Sequence, residues 1–166
     1  MKYVVFCALL AVPVLMLAAE TNPDSRFYIA AAEGGMGEVQ LARLAQDKSS
    51  DPKVKDFAAM MIKDHSAANE ELQALASGKN IKLPSGAGVR ADATRLKLEA
   101  LSGATFDKSY IRNQVTAHRD TIALLEKEIS SGHDAAAQEF ARKILPTVQG
   151  HLKAIETLAS TGRVKR

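Results

Sequence analysis

Apolar and small residues recur along this chain at steps of three and four, and no stretch alternates at period two. That is the spacing of α-helices with one buried stripe, and it predicts no strand. Asn22 before Pro23 pairs a capping side chain with a proline suited to a first helical position. From there Phe27, Ala31, Gly34, Glu38, Leu41 and Ala45 form a stripe that carries helix one to about Ser49. Asp51 and Pro52 repeat the start signal, and Val54, Ala58, Met61, His65, Ala68, Leu72 and Leu75 carry helix two to Gly78. Residues 78 to 106 hold GKNIKLPSGAG, a short helical piece around Ala91 to Leu101, and SGATF; they read as one long connection. Helix three follows from about Asp107, with Ile111, Gln114, His118, Ile122, Leu125 and Ile129 on one face, and closes at Gly132. Asp134 caps helix four, whose stripe is Phe140, Ile144, Val148, His151, Ile155 and Leu158. Pro146 is expected to kink it, lacking an N–H and crowding the carbonyl of Arg142. Four such helices bury their stripes by packing around a common axis, so the expected fold is an all-α four-helix bundle.

Gly34, Gly35 and Gly37 are unusual inside a helix, where each glycine costs ~1 kcal/mol relative to alanine. Either a neighbouring helix approaches closely there, or the glycines clear space beside Glu38.

The first 19 residues, MKYVVFCALLAVPVLMLAA, are one lysine, an apolar run broken by Pro13, and then small residues. This pattern predicts a signal peptide over 1–19, cleaved near Ala19, and a domain over 20–166. The run is shorter than the ~20 residues of a membrane-spanning helix, so no stable insertion is expected after cleavage. Cys7, the only cysteine, lies inside the apolar run and not where a lipoprotein signal needs it. Without a further cysteine, the mature chain has neither a disulfide nor a thiolate ligand. Cleavage removes one of the 22 basic residues, Lys2, leaving 21 against 19 acidic. Basic residues are spread along every segment with a small excess at Arg163, Lys165 and Arg166, and no aromatics interleave them, so no nucleic-acid partner is expected.

Glu38, His65, His118 and His151 each occupy a stripe position of a different helix, where the pattern calls for Leu or Ile. Counted at ~1.5 Å per residue, their heights fall within ~9 Å of one another both in an up-down-up-down bundle and in one whose long connection crosses it. Burying such groups unpaired is unfavourable by several kcal/mol, so they should meet one another, a water or a metal. Three neutral imidazoles and a carboxylate suit one tetrahedral or five-coordinate ion of zinc, copper or iron. Without metal, a hydrogen-bonded network between Glu38 and the histidines would fix bundle register. Asp64 beside His65, Asn69 one turn later, and Gln114 one turn before His118 are candidates to orient the imidazoles, and equally boundary residues. Met61 could be a soft copper ligand, though core filling is its ordinary role. His133, next to Gly132, reads as solvated.

The strings FYIAAAEGGMGEVQLARLA, FAAMMIKDHSAANEELQALA, LPSGAG, LSGATFDKSYI, AHRD and ILPTVQGHL resemble, in order and over nearly the whole mature chain, a bacterial family of exported ferritin-like proteins. That family is known as a domain of unknown function, DUF 4142, or as predicted outer-membrane proteins. The resemblance implies a ferritin-like bundle outside the cytoplasm and brings no established activity. Di-iron ferritin-like proteins use Glu-x-x-His pairs, but here the residues three before His65, His118 and His151 are Ile62, Val115 and Val148. No di-iron centre is therefore expected, and any metal site should be mononuclear and rich in histidine.

The leading expectation is an exported, periplasmic ferritin-like bundle that binds one transition-metal ion for storage, sensing or stress-related redox chemistry. The alternative is a metal-free structural or interaction protein whose core Glu and His residues form only a buried network. An enzyme with Glu38 and a histidine as a base pair is the least supported, since a closed bundle core offers no evident substrate cleft.

Overall fold

The structure, a computed structural model, describes residues 24–164, with side chains to Thr161. The signal segment expected at 1–19, the Asn22–Pro23 start and the basic tail lie outside the described side chains. Five helices follow one another: α1 (Ser25–Lys48), α2 (Pro52–Ser77), α3 (Gly88–Glu99), α4 (Gly103–Ser131) and α5 (Ala135–Val164). No strand occurs among the described residues.

The helix starts follow their sequence signals where these are described. Asp51 caps α2 by accepting from the Lys53 N–H at 2.9 Å, and Asp134 caps α5 by accepting from the Ala136 N–H at 3.0 Å. α5 continues through Pro146, which lies on an exposed face where the lost backbone bond is least consequential. The third long helix begins at Gly103 and not at Asp107, because Ser102 turns the chain in an extended conformation and Gly103 takes a φ of 52°. The poor helix formers of SGATF read as loop, yet Phe106 is fully buried and stacks on Tyr110 with ring centroids 6.1 Å apart, which draws this turn into the helix. The short helix likewise runs Gly88–Glu99, three residues earlier at its start than the sequence pattern placed it.

The two ends of the bundle fix its topology. At one end Ser49 Oγ meets Asp107 Oδ1 at 2.6 Å, and Leu41, Val54, Phe57, Phe106, Tyr110 and Ile155 share one apolar cluster. At the other, the Phe27 and Phe140 rings lie 6.4 Å apart, in a second cluster with Leu72, Leu125 and Val148. α1 therefore runs up, α2 and α4 down, and α5 up. The connection crosses the bundle through α3, which climbs beside α1: Ala91 packs at Gly37, Gln40 donates to Asp92 at 3.1 Å, and the Lys48 ammonium reaches the Glu99 carbonyl at 2.5 Å. Among the four long helices, α1 packs chiefly on α2 and α4 on α5, with α1 also against α4 and α2 against α5; α3 lies against α1 and touches α4. This is an all-α four-helix bundle whose crossing connection carries a short helix.

Close approach explains two of the three α1 glycines. A methyl group at Gly35 would overlap the Asn69 side chain, and one at Gly37 would stand 2.9 Å from the Ala91 Cβ. Gly34 has nothing within 4 Å and faces open space. The most buried line of α1 correspondingly passes through Tyr28, Ala32 and Gly35 instead of Ala31 and Gly34.

Candidate metal centre

Between the two apolar clusters lies a polar layer. Glu38 of α1, His65 of α2, Gln114 and His118 of α4, and His151 of α5 are all buried. The three histidines form a triangle of rings, with centroids 5.9 Å apart for His65 and His118, 5.5 Å for His65 and His151, and 5.5 Å for His118 and His151. Each offers a ring nitrogen, and the three nitrogens lie within 4.8 Å of one another. Nitrogens bound to one tetrahedral ion at ~2.0–2.1 Å stand about 3.4 Å apart, so loading requires only a modest inward movement.

Hydrogen bonds on the outer side of the triangle orient two of the rings. His118 Nδ1 lies 2.9 Å from the Gln114 backbone carbonyl. A carbonyl only accepts, so Nδ1 carries the proton and Nε2 keeps its lone pair. His151 Nε2 lies 3.0 Å from Asp64 Oδ2, which by the same reasoning leaves the lone pair on Nδ1. His65 Nε2, His118 Nε2 and His151 Nδ1 are all buried without a hydrogen-bond partner. Leaving three imidazole nitrogens in this state is unfavourable by ~1–3 kcal/mol each, and together they are a group that could hold a metal ion. The opposite nitrogens of His118 and His151 are fixed in the manner usual for metal-binding histidines.

Electrostatics keeps the rings in the ligating form. Burial, with the neighbouring His118 and His151, lowers the His65 pKa to about 3. Burial lowers His118 to about 4 against the opposing bond to the Gln114 carbonyl. His151 is also lowered by burial, with Asp64 acting the other way. Neutral imidazoles at neutral pH are what a cation requires.

Glu38 occupies a neighbouring position. It is outside the group of ligating atoms within 4.8 Å of one another, and its surroundings are Gln114 and Tyr110. Burial raises its pKa to about 7, opposed by the Gln114 side-chain amide. That amide forms no well-directed hydrogen bond: Glu38 Oε2 and both Gln114 amide atoms are buried without partners. Tyr110, whose hydroxyl is also buried and unpartnered, was not singled out from the sequence, although it lies one turn before Gln114 on the same stripe. Burial, and the Glu38 carboxyl beside it, push its pKa well above the usual phenol range.

The structure redistributes the supporting roles. Asp64 bonds His151 of another helix, while its sequence neighbour is His65. Gln114 orients His118 through its backbone, and its side chain faces Glu38. Asn69 packs against Gly35. Met61 is a fully buried member of an apolar cluster, and the His133 side chain is 75 % exposed.

Fold and site together define a crossover four-helix bundle with a buried three-histidine cluster at mid-height. Residues 13–158 match the family model described as Domain of unknown function (DUF4142), and the chain belongs to that family. The fold is similar to the crystal structure of a DUF305 fragment from Deinococcus radiodurans, with a TM-score of 0.73 and 15 % identity over 85 % of this chain and 97 % of that one. No curated protein matches the chain significantly.

Proposed function

We propose that this protein binds one transition-metal ion through His65, His118 and His151. The observation that carries this reading is the set of three unpartnered ring nitrogens, one from each of three helices, with the opposite nitrogens of His118 and His151 held by hydrogen bonds. A purely structural network would be expected to satisfy its own members, and the bonds these rings make go to the Gln114 carbonyl and Asp64, not to Glu38. Glu38 is left out of the ligand set because it does not share the common 4.8 Å reach. Zinc, copper and iron all accept imidazole, and a single group of three imidazole nitrogens, none of them in a Glu-x-x-His pair, suits one ion.

The proposed setting is outside the cytoplasm, after cleavage of residues 1–19, with storage, sensing or stress-related redox chemistry as the role. No helix among the described residues is long and apolar enough to cross a membrane. The test is to purify the mature chain without an affinity tag and measure its metal content and melting temperature with and without zinc, copper or iron. The reading expects one ion per chain and a rise in melting temperature that His118→Ala abolishes. Unchanged stability and no stoichiometric metal in every case would defeat it.

A further inference from the structure

A cleft of about 490 Å3 opens between α1, α3 and α4, within the ~300–1,000 Å3 of small-molecule sites. It lies apart from the triangle of rings: none of the three histidines lines it. Gly34, Ala91, Ala117 and Leu124 give it small and apolar wall segments between its polar and charged lining residues. Two of its lining residues carry a buried acceptor without a partner. Glu38 is only 6 % exposed and its Oε2 is unsatisfied, and Asn113 Oδ1 is buried without a partner. The charged groups around the opening add no competing cation. Arg90 is engaged by Asp120 at 2.6 Å, and the Glu33 carboxyl stands over Gly88, the first residue of α3, where a helix N-terminus favours an anion.

An occupant that satisfies this lining donates hydrogen bonds, carries positive charge and has a short apolar body. We propose that the cleft binds a small protonated aliphatic amine, its ammonium donating to Glu38 and Asn113 and its chain lying along the glycine, alanine and leucine walls. Gly34 then has a use that close packing does not give it. A side chain there would meet no neighbour within 4 Å and would enter the cleft, so glycine keeps the cleft open. The site is independent of the metal reading and survives its failure.

The mature chain, with a chelator present so that no amine coordinates a metal, is titrated with n-butylammonium and in parallel with butan-1-ol and butyrate. Calorimetry measures affinity, and backbone amide NMR locates binding. Butylammonium is expected to bind saturably, with shifts centred on Gly34, Gly37, Ala91 and Ala117. It should bind at least tenfold more tightly than the alcohol, and butyrate should not bind. Glu38→Gln, close in shape to the native residue, should weaken it at least tenfold, and Gly34→Leu should abolish binding while leaving the fold intact. Equal affinity for amine and alcohol, binding unaffected by either variant, shifts centred elsewhere, or no saturable binding would each overturn the proposal.

Discussion

His151 is fastened to Asp64 by a contact of 3.0 Å across 87 positions of sequence. The contact ties α5 to α2 at the level of the imidazoles and dictates which nitrogen of His151 faces the other two rings. Asp64 is partly exposed, with 31 % of its side chain accessible, so its main effect should fall on ligand geometry and basicity. Asp64→Asn is expected to weaken metal binding by ~10–100-fold with little loss of stability in the metal-free protein. Competition with a chromophoric chelator, alongside urea unfolding, separates the two effects.

The acid response of the metal-free protein should carry the signature of the triad. His65 and His118 fall from 6.5 to about 3 and about 4 on folding, and His151 falls as well. Their folded forms therefore bind fewer protons than the unfolded chain. The stability this represents is present above the unfolded value of 6.5 and is lost as pH falls through the folded values. His118→Leu should flatten the fall in unfolding midpoint between pH 6.5 and about pH 4. A variant as acid-sensitive as the parent would contradict this.

Glu128 acts in the opposite direction. Burial first, and then the nearby carboxylates of Asp24 and Asp134, raise its pKa from 4.5 to about 7, with His133 opposing. Its folded form binds more protons than its unfolded form, so its contribution is complete below 4.5 and disappears as pH rises through about 7. Glu128→Gln should raise the melting temperature one unit above that folded value and make little difference near the unfolded one. Thermal unfolding of both chains across this range checks the sign.

Two neighbouring glycines of α1 should respond in opposite senses to the same change. Gly34→Ala adds a methyl to open space and should stabilise by up to ~1 kcal/mol through helix propensity. Gly37→Ala forces a methyl to 2.9 Å from the Ala91 Cβ. Overpacking of ~1–3 kcal/mol, less the same propensity gain, gives a net destabilisation of up to ~2 kcal/mol. Urea midpoints of the two variants settle the contrast.

Much of this architecture can be read from the chain itself, since each long helix announces itself by a 3.6-residue period and Asp51 and Asp134 mark two of the starts. The direction of the crossing connection is not legible in that way. Both topologies place Glu38 and the histidines at similar heights, and the choice depends on α3 packing against Gly37, where the glycine signals a close approach but nothing in the sequence marks Ala91 as its partner. Gly103 and Phe106 were hidden for another reason: their local propensity opposes helix, and only tertiary burial of the Phe106 ring overrides it. At the site, periodicity points to the three histidines because each interrupts an apolar stripe. It cannot assign partners, which depend on side-chain reach between helices. Asp64 therefore serves His151 and not its neighbour His65, and Glu38 sits by Gln114 and Tyr110.

Nitrogen NMR of the histidine rings, recorded as zinc is added to the mature, untagged chain, tests the central claim most directly. The account predicts that the ring signals of His65, His118 and His151 change together and saturate at one equivalent, while exposed His133 is unaffected. Saturation that involves His133, or three core rings unmoved by zinc, would contradict it.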